Sequence, residues 1–156
     1  MAKICDQLCK DEVVDTHDEN LKNMNTYFYT NNYDAFAMQK TLEGNLLTFN
    51  LLYCYQKYNW KETIPQLDEQ LFKNLAYRLQ SSYRDNFYHS SVHAADVVNH
   101  LSYFIYTCGV KEISNLDDRE IFVTVLSGAA HDMDHPGTNN QLEIKTRSKL
   151  STLYND

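Results

Sequence analysis

Glycine and proline are scarce in this chain of 156 residues, which contains only 4 glycines and 2 prolines. An all-β protein needs these residues for its many tight turns, whereas long helices need few of them. Hydrophobic residues make up 43% of the sequence, which is enough to form the core of one compact domain at this length. The composition therefore predicts a single, mainly helical domain.

Positive charge is also in short supply. The chain has 14 Lys and Arg residues against 21 Asp and Glu residues, and its formal net charge is -7. Proteins bind nucleic acids largely by neutralising phosphates with Lys and Arg, so we expect no nucleic-acid partner. A small substrate that carries phosphate would need local positive charge, such as a metal ion.

Membrane segments and paired cysteines are missing as well. No apolar run is long enough to span a bilayer, and the N-terminus carries charged residues where a secretory signal would need an apolar stretch. The cysteines show no CxxC pair or regular spacing, so we expect free thiols at four positions: Cys5, Cys9, Cys54 and Cys108. Together these features predict a soluble cytoplasmic protein without a membrane partner.

Apolar periodicity predicts four helices after a loose polar leader over residues 1–32. Asp68 is the predicted N-cap of the second helix, and Asp117 with Glu120 forms the capping box of the fourth. Gly109 is expected to end the third helix, and a weaker helical pattern follows Gly137. The predicted core faces are Leu47, Leu51, Cys54 and Tyr58; Leu71, Phe72, Leu75, Leu79 and Tyr83; Val97, Val98, Leu101, Ile105 and Cys108; and Ile121, Phe122, Val125, Leu126 and Ala129.

A polar stripe accompanies the third helix, which we expect to run from about residue 89 to residue 108. At helical spacing, four of its side chains fall within an arc of about 60° on one face: His89, His93, Asp96 and His100. Ser90 stands where a zinc protease would carry the Glu of HExxH, so that mechanism lacks its general base. Two readings stay open, a metal-binding face and a solvated face with scattered histidines.

A second ionisable cluster, AAHDMDHPGTNNQ, begins at the end of the fourth predicted helix. Neighbouring residues on a regular helix point about 100° apart, so His131 and Asp132 reach one ion easily only at a helix end or an irregular turn. Pro136 and Gly137 supply that irregularity. Imidazole and carboxylate ligands suit zinc, while further carboxylates and waters suit Mg²⁺ or Mn²⁺. The alternative is a polar helix terminus whose side chains only form hydrogen bonds.

Both segments resemble the signatures of the class I 3',5'-cyclic nucleotide phosphodiesterase catalytic domain. YHSSVHAADV resembles YHNxxHAxDV, and HDMDHPGTNNQ resembles HDxDHPGxxNxF, with Ser90 in place of Asn and Leu142 in place of Phe. Weaker similarity in YDAFAMQKTLEGN and TRSKLSTLYND extends the resemblance from Tyr33 to the last residue. The resemblance implies an all-α, multi-helix HD-type fold, of which residues 33–156 would be the N-terminal half, truncated at the C-terminal side.

The resemblance also implies roles for individual residues. His93, His131 and Asp132 would hold a metal ion, usually zinc, and Asp132 would also bridge to a second ion, magnesium or manganese. His89 would be the general acid. The positions that would support the ligands or face the substrate are Tyr88, His135 and Asn140.

The implied reaction is hydrolysis of cyclic AMP, cyclic GMP or both to the 5'-monophosphate by a hydroxide that two metal ions activate. In the family, a last metal-binding Asp and the residues that contact the base come later in the chain. One alternative is a broader HD-type metal phosphohydrolase, for which Pro136, Gly137 and Asn140 would be superfluous. Another is a catalytically incomplete fragment that acts as a binding or interfering module, as a homo-oligomer or with a complete copy of the domain.

Overall fold

The structure of this chain is a computed structural model that describes residues 28–154. Within that range it contains helices and no strand, which confirms the predicted all-α fold. In chain order the helices are α1 (Ala35–Thr41), α2 (Leu46–Lys57), α3 (Trp60–Thr63), α4 (Glu69–Ser82), α5 (Ser91–Ser102), α6 (Val110–Ser114), α7 (Asp118–Ala130), α8 (Asn140–Thr146) and α9 (Lys149–Tyr154). A π-helical segment, Tyr103–Thr107, directly follows α5.

Most of the predicted leader, together with Cys5 and Cys9, lies outside the described residues. The domain boundary at residue 33 stays a prediction, although Phe28 is only 3% exposed and packs in the core just before it. Of the other two cysteines, Cys54 is a buried free thiol and Cys108 is an exposed one.

Four helices form the core, with α2 packed between α4 and α5, and α5 packed in turn against α7. The predicted core face of α2 is confirmed, because all four of its residues are buried: Leu47, Leu51, Cys54 and Tyr58. Trp60 is completely buried and presents its ring to the edges of two phenylalanines. The ring centroids lie 5.9 Å from Phe72 and 5.0 Å from Phe122, both in T-shaped geometry. This aromatic contact joins α3 to α4 and α7.

The predicted helix caps are present at α4 and α7. The Asp68 carboxylate accepts a hydrogen bond of 2.7 Å from the Leu71 amide. At α7 the capping box is complete: Asp117 accepts from the Glu120 amide at 2.8 Å, and the Glu120 carboxylate accepts from the Asp117 amide at 2.9 Å. The cap fixes the start of a helix whose other end immediately precedes His131.

One partly buried side chain, Gln80 of α4, connects the starts of two other helices. Its Oε1 accepts from the amides of Leu47 and Thr48 at 3.0 Å and 3.2 Å, which satisfies donors in the first turn of α2. Its Nε2 donates to Ser91 Oγ at 2.8 Å, at the first residue of α5. Gln80 therefore fixes where α5 begins relative to α2 and α4.

The predicted third helix begins two residues later than expected, and its last turn is π-helical. Ser90 has extended backbone angles and is the N-cap of α5, so His89 precedes the helix instead of lying on its face. At the other end the π-helical turn widens the backbone and changes the direction of the side chains, which leaves Cys108 exposed although it was expected in the core. Gly109, at φ +76°, ends this element as predicted.

Some predicted core positions are also exposed. Leu71 and Leu75 of α4 are 68% and 38% exposed, because the buried face of that helix runs through Phe72, Ala76 and Leu79. The weak pattern after Gly137 does form helices, α8 and α9, but four of its apolar residues remain exposed in the part that the structure describes: Leu142, Ile144, Leu150 and Leu153. No helix among residues 28–154 has the length and apolarity needed to cross a bilayer.

The central position of Trp60 leads to a stability prediction. Truncating Trp60→Ala removes a fully buried indole from between Phe72 and Phe122, and we expect a loss of about 3–5 kcal/mol in the free energy of unfolding. Phe36→Ala is the matched control, since Phe36 is 80% exposed and its truncation should change stability by less than about 0.5 kcal/mol. Urea unfolding followed by circular dichroism measures both. Equal losses in the two variants would contradict the assignment of Trp60 to the core.

Candidate metal and catalytic site

Two segments far apart in the sequence form the site: the loop before α5 with the first turn of that helix, and the turn after α7. His89 lies in the loop, and His93 lies one turn inside α5. The Tyr88 ring packs over His93 with 4.5 Å between the ring centroids, so this segment presents a small cluster of rings. α5 packs against α7, and the approach of His93 to Asp132 places its first turn beside the end of that helix.

The chain leaves helical geometry directly after α7. His131 still has helical backbone angles as the C-cap, but a tight turn follows, in which the His135 amide donates to the Asp132 carbonyl at 3.1 Å. Asp134 has φ +59° and Gly137 has φ +81°. This is the irregular turn that the sequence predicted, and it lets His131 and Asp132 point toward the same place.

A single carboxylate oxygen, Oδ2 of Asp132, lies at the centre of the site. It is 2.7 Å from His89 Nδ1, 3.2 Å from His131 Nε2 and 3.6 Å from His93 Nε2. The Asp132 side chain is only 14% exposed, so it has limited access to water. The structure therefore brings together the predicted acid and all three predicted metal ligands.

The donor atoms of this group fit a divalent metal ion. One ligand atom each from His93, His131 and Asp132 lies within 4.8 Å of the other two. His131 Nδ1 donates to the Gly128 carbonyl at 2.8 Å, which leaves Nε2 with its lone pair toward Asp132. Burial lowers the pKa of His93, and the neighbouring His131 lowers it further, so the neutral form that binds metals is favoured. Two imidazoles and a carboxylate are a ligand set that zinc and similar ions accept.

Neighbouring histidines stabilise the ionised form of Asp132. Burial acts to raise the pKa of this carboxyl group, but the hydrogen bond from His89 and the charges of the histidines outweigh burial, and the net shift is downward. An ionised carboxylate both accepts the hydrogen bond from His89 and is the form that coordinates a metal ion.

His135 stacks on the general-acid candidate. The rings of His89 and His135 lie 3.9 Å apart at 18° to each other, and the Gly137 amide donates to His135 Nδ1 at 3.0 Å. His89, Asp132 and His135 form a second group whose ligand atoms are close enough to share an ion. His135 is thus placed to fix the position of the His89 ring.

The two remaining predicted residues lie at the rim. Asn140 is the first residue of α8 and lines an open depression together with His89 and His135. Tyr88 is 61% exposed and contacts both His89 and His93 through its ring. Both are positioned beside the histidines, at the surface that a ligand would approach.

Asp134 and Asp96, two acidic residues of the signature segments, have partners away from the metal-ligand group. The Asp134 carboxylate lies 2.6 Å from Arg84 Nε, and this guanidinium lowers the pKa of the Asp134 carboxyl group. His100 lies beside Asp96 on the same helix, with 3.3 Å between His100 Nδ1 and Asp96 Oδ1. Neither Asp134, Asp96 nor His100 belongs to the groups of potential metal ligands in the described part of the chain.

Sequence reasoning missed the residues that join the two segments. Asn86 Nδ2 donates to the main-chain carbonyls of His89 at 3.2 Å and His135 at 2.8 Å. Tyr83 donates through its hydroxyl to the Ala129 carbonyl at 2.8 Å, at the end of α7. No periodicity marks Asn86. Tyr83 lies on the predicted core face of the second helix, but nothing in the sequence indicates that either residue faces a segment about fifty positions away.

Comparisons with known proteins agree with this geometry. The profile of the 3'5'-cyclic nucleotide phosphodiesterase family matches residues 88–156, which include every residue of the site named from the signatures. The 3',5'-cyclic-AMP phosphodiesterase 4 of Dictyostelium discoideum is 31% identical over 125 residues, covering 80% of this chain and 12% of the relative. The 3',5'-cyclic-AMP phosphodiesterase 4C of Rattus norvegicus is 39% identical over 124 residues, covering 79% of this chain and 23% of the relative.

A third relative matches a shorter stretch. The dual specificity calcium/calmodulin-dependent 3',5'-cyclic nucleotide phosphodiesterase 1C of Homo sapiens is 45% identical over 71 residues, which are 46% of this chain and 10% of the relative. The chain thus spans between 10% and 23% of the length of these three relatives. This chain therefore belongs to the class I 3',5'-cyclic nucleotide phosphodiesterase family and carries a part of its catalytic domain.

Proposed function

We propose that the site takes part in the hydrolysis of a 3',5'-cyclic nucleotide to its 5'-monophosphate. The observation that carries this proposal is the position of Asp132 Oδ2 within 3.6 Å of nitrogens from three histidines. His93, His131 and Asp132 would hold one divalent ion, zinc by its ligand preference, and Asp132 would also help to hold a second, magnesium or manganese. When bound, such ions would activate a water molecule and offset the charge of the phosphate.

His89 is the proposed general acid. Its Nδ1 donates to Asp132 at 2.7 Å, so Nε2 is the atom left to carry a proton toward the substrate. That proton goes to the ribose 3' oxygen as its bond to phosphorus breaks, because an unprotonated alkoxide is a poor leaving group. His135 holds the ring from behind by stacking at 3.9 Å, and Asn140 and Tyr88 contribute the polar and aromatic rim.

The proposed substrate is a small cyclic nucleotide, with cyclic AMP as the first to be tested. Two relatives that match about four-fifths of this chain are named as phosphodiesterases of cyclic AMP, and a third is named as one of dual specificity. Cyclic GMP therefore belongs in the same assay. A cytoplasmic location and the lack of a nucleic-acid or membrane partner stay predictions.

A second candidate function is a binding module that pairs with another copy of the domain. Its support is a set of exposed apolar side chains along α8 and α9: Leu142, Ile144, Leu150, Leu153 and Tyr154. A broader HD-type metal phosphohydrolase is less well supported, since Gly137 is not superfluous: it has φ +81°, and a Cβ there would lie 2.8 Å from Asn86 Oδ1.

Removing the proposed acid tests the reaction. We expect His89→Ala to lower kcat for hydrolysis of cyclic AMP by about 10²- to 10⁴-fold, because the leaving oxygen loses its proton donor. His100→Ala is the matched control, since His100 pairs with Asp96 on the same helix and lies outside the ligand groups of residues 28–154. The assay measures release of the 5'-monophosphate in Zn²⁺ and Mg²⁺. Full activity of His89→Ala would remove His89 from the mechanism.

Metal binding can be tested without turnover. We expect Co²⁺, added as a spectroscopic substitute for Zn²⁺, to give visible absorption with the wild-type chain, and Asp132→Asn to bind it at least about tenfold more weakly. Asp118→Asn is the matched control, because Asp118 pairs with Lys111 at the opposite end of α7 and lies outside the ligand groups of the described residues. Equal Co²⁺ affinity of Asp132→Asn and wild type would contradict the assigned ligands. Co²⁺ binding without any hydrolysis would favour the binding module.

A further inference from the structure

The loop before α5 and the turn after α7 are joined by a ladder of contacts that begins outside the metal-ligand group. The Asp134 amide donates to the Ser82 carbonyl at 3.1 Å, and Arg84 pairs with the Asp134 carboxylate. Asn86 comes next in this order and makes the contact nearest to the histidines. The main chains of the two segments are therefore held together independently of Asp132.

Asn86 is suited to this place because one side-chain nitrogen carries two protons. Nδ2 donates to the carbonyls of His89 and His135, and thus bridges the main chains of the two residues whose rings stack. The bond from His89 to Asp132 orients the imidazole, but it does not hold the main chain of the loop. The Asn86 bridge supplies that second constraint.

Gly137 shows how closely Asn86 is enclosed. A Cβ atom at position 137 would lie 2.8 Å from Asn86 Oδ1 and 3.3 Å from its Cγ, closer than such atoms pack. Gly137 also has φ +81°, which disfavours any other residue. The Asn86 side chain thus occupies the space that glycine leaves open, and its amide has little freedom to turn away from the two carbonyls.

We propose that Asn86 is a positioning residue, which sets the place of His89 by bridging its main chain to that of His135. The proposal rests on the proposed function, since His89 has a position to keep only if it delivers a proton. Small displacements of a catalytic group reduce the rate of the chemical step strongly. The bridge is therefore a constraint on kcat, with little effect on substrate affinity.

The test replaces the donor while keeping the shape of the side chain. Asn86→Asp has nearly the same size but donates no proton, and it turns a negative oxygen toward two carbonyls; Asn86→Ala removes the bridge without adding charge. Asn74→Asp is the matched control, because Asn74 is exposed on α4, where its side chain accepts a hydrogen bond from Gln70 one turn away. We expect both Asn86 variants to lower kcat for cyclic AMP by about tenfold or more, with KM within about twofold of wild type.

A second readout does not depend on activity. In the metal-free chain, hydrogen exchange at the amides of Gly137 and His135 should speed up about tenfold in both Asn86 variants, while exchange at Val98 in the buried middle of α5 stays unchanged. Wild-type exchange rates at Gly137 and His135, or an increase at Val98 of the same size, would overturn the proposal. So would a changed KM with an unchanged kcat. An inactive wild type would count against the proposed function, and the exchange rates would still decide whether the bridge exists.

Discussion

The meeting of three imidazole nitrogens at one carboxylate oxygen, Asp132 Oδ2, is the constraint on which the site depends. Hydrogen bonds and coordination act over a few tenths of an ångström, so two segments about forty positions apart must be held with that precision. No single helix can supply the arrangement, because His89 lies before α5 and Asp132 lies after α7. The distances between these side chains therefore depend on how α5 packs against α7.

That packing is close at Gly128 of α7. A Cβ there would lie 2.4 Å from Leu101 Cδ1 and 3.3 Å from Val97 Cγ1, so the absence of a side chain lets α7 approach α5 closely. The same residue gives its carbonyl to His131 Nδ1 at 2.8 Å. Gly128 thus has two effects: it allows the close approach of α7 to α5, and its carbonyl determines that His131 turns Nε2 toward Asp132. The capping box at Asp117 fixes the other end of α7, and the bridging amide of Gln80 fixes the start of α5, beside the site.

Much of the fold could be predicted because burial repeats with the period of a helix. The face of α2 and the caps at Asp68 and Asp117 follow local rules of spacing and hydrogen bonding, which the chain obeys. Leu71 and Leu75 were misplaced because a wide apolar stripe does not show which part of it meets another helix. Cys108 was wrongly expected in the core because a π-helical turn has no signal in apolar spacing.

The sequence correctly predicted which signature residues lie together, but it wrongly placed His89 on a helix face. His89 reaches the site from a loop, and its distance from Asp132 depends on tertiary contacts that helical spacing cannot describe. Asn86 and Arg84 escaped notice for the same reason: an isolated polar residue in a loop shows no pattern until its partner segment is known. The residue types of a metal site can be read locally, whereas the residues that position it become visible only in three dimensions.

Two carboxylates in the turn after α7 have different environments and therefore different partners. Asp132 and Asp134 are two positions apart and both have a lowered pKa, but the causes differ. Arg84 lowers the pKa of Asp134 in an exposed pair that ties the turn to the neighbouring loop. At Asp132 burial opposes ionisation, and the histidines overcome it. A partly buried carboxylate surrounded by imidazoles is a ligand set that could hold a cation, whereas Asp134 is already paired with a guanidinium. The helix end supplies both positions, and the left-handed φ of Asp134 lets one face inward and the other outward.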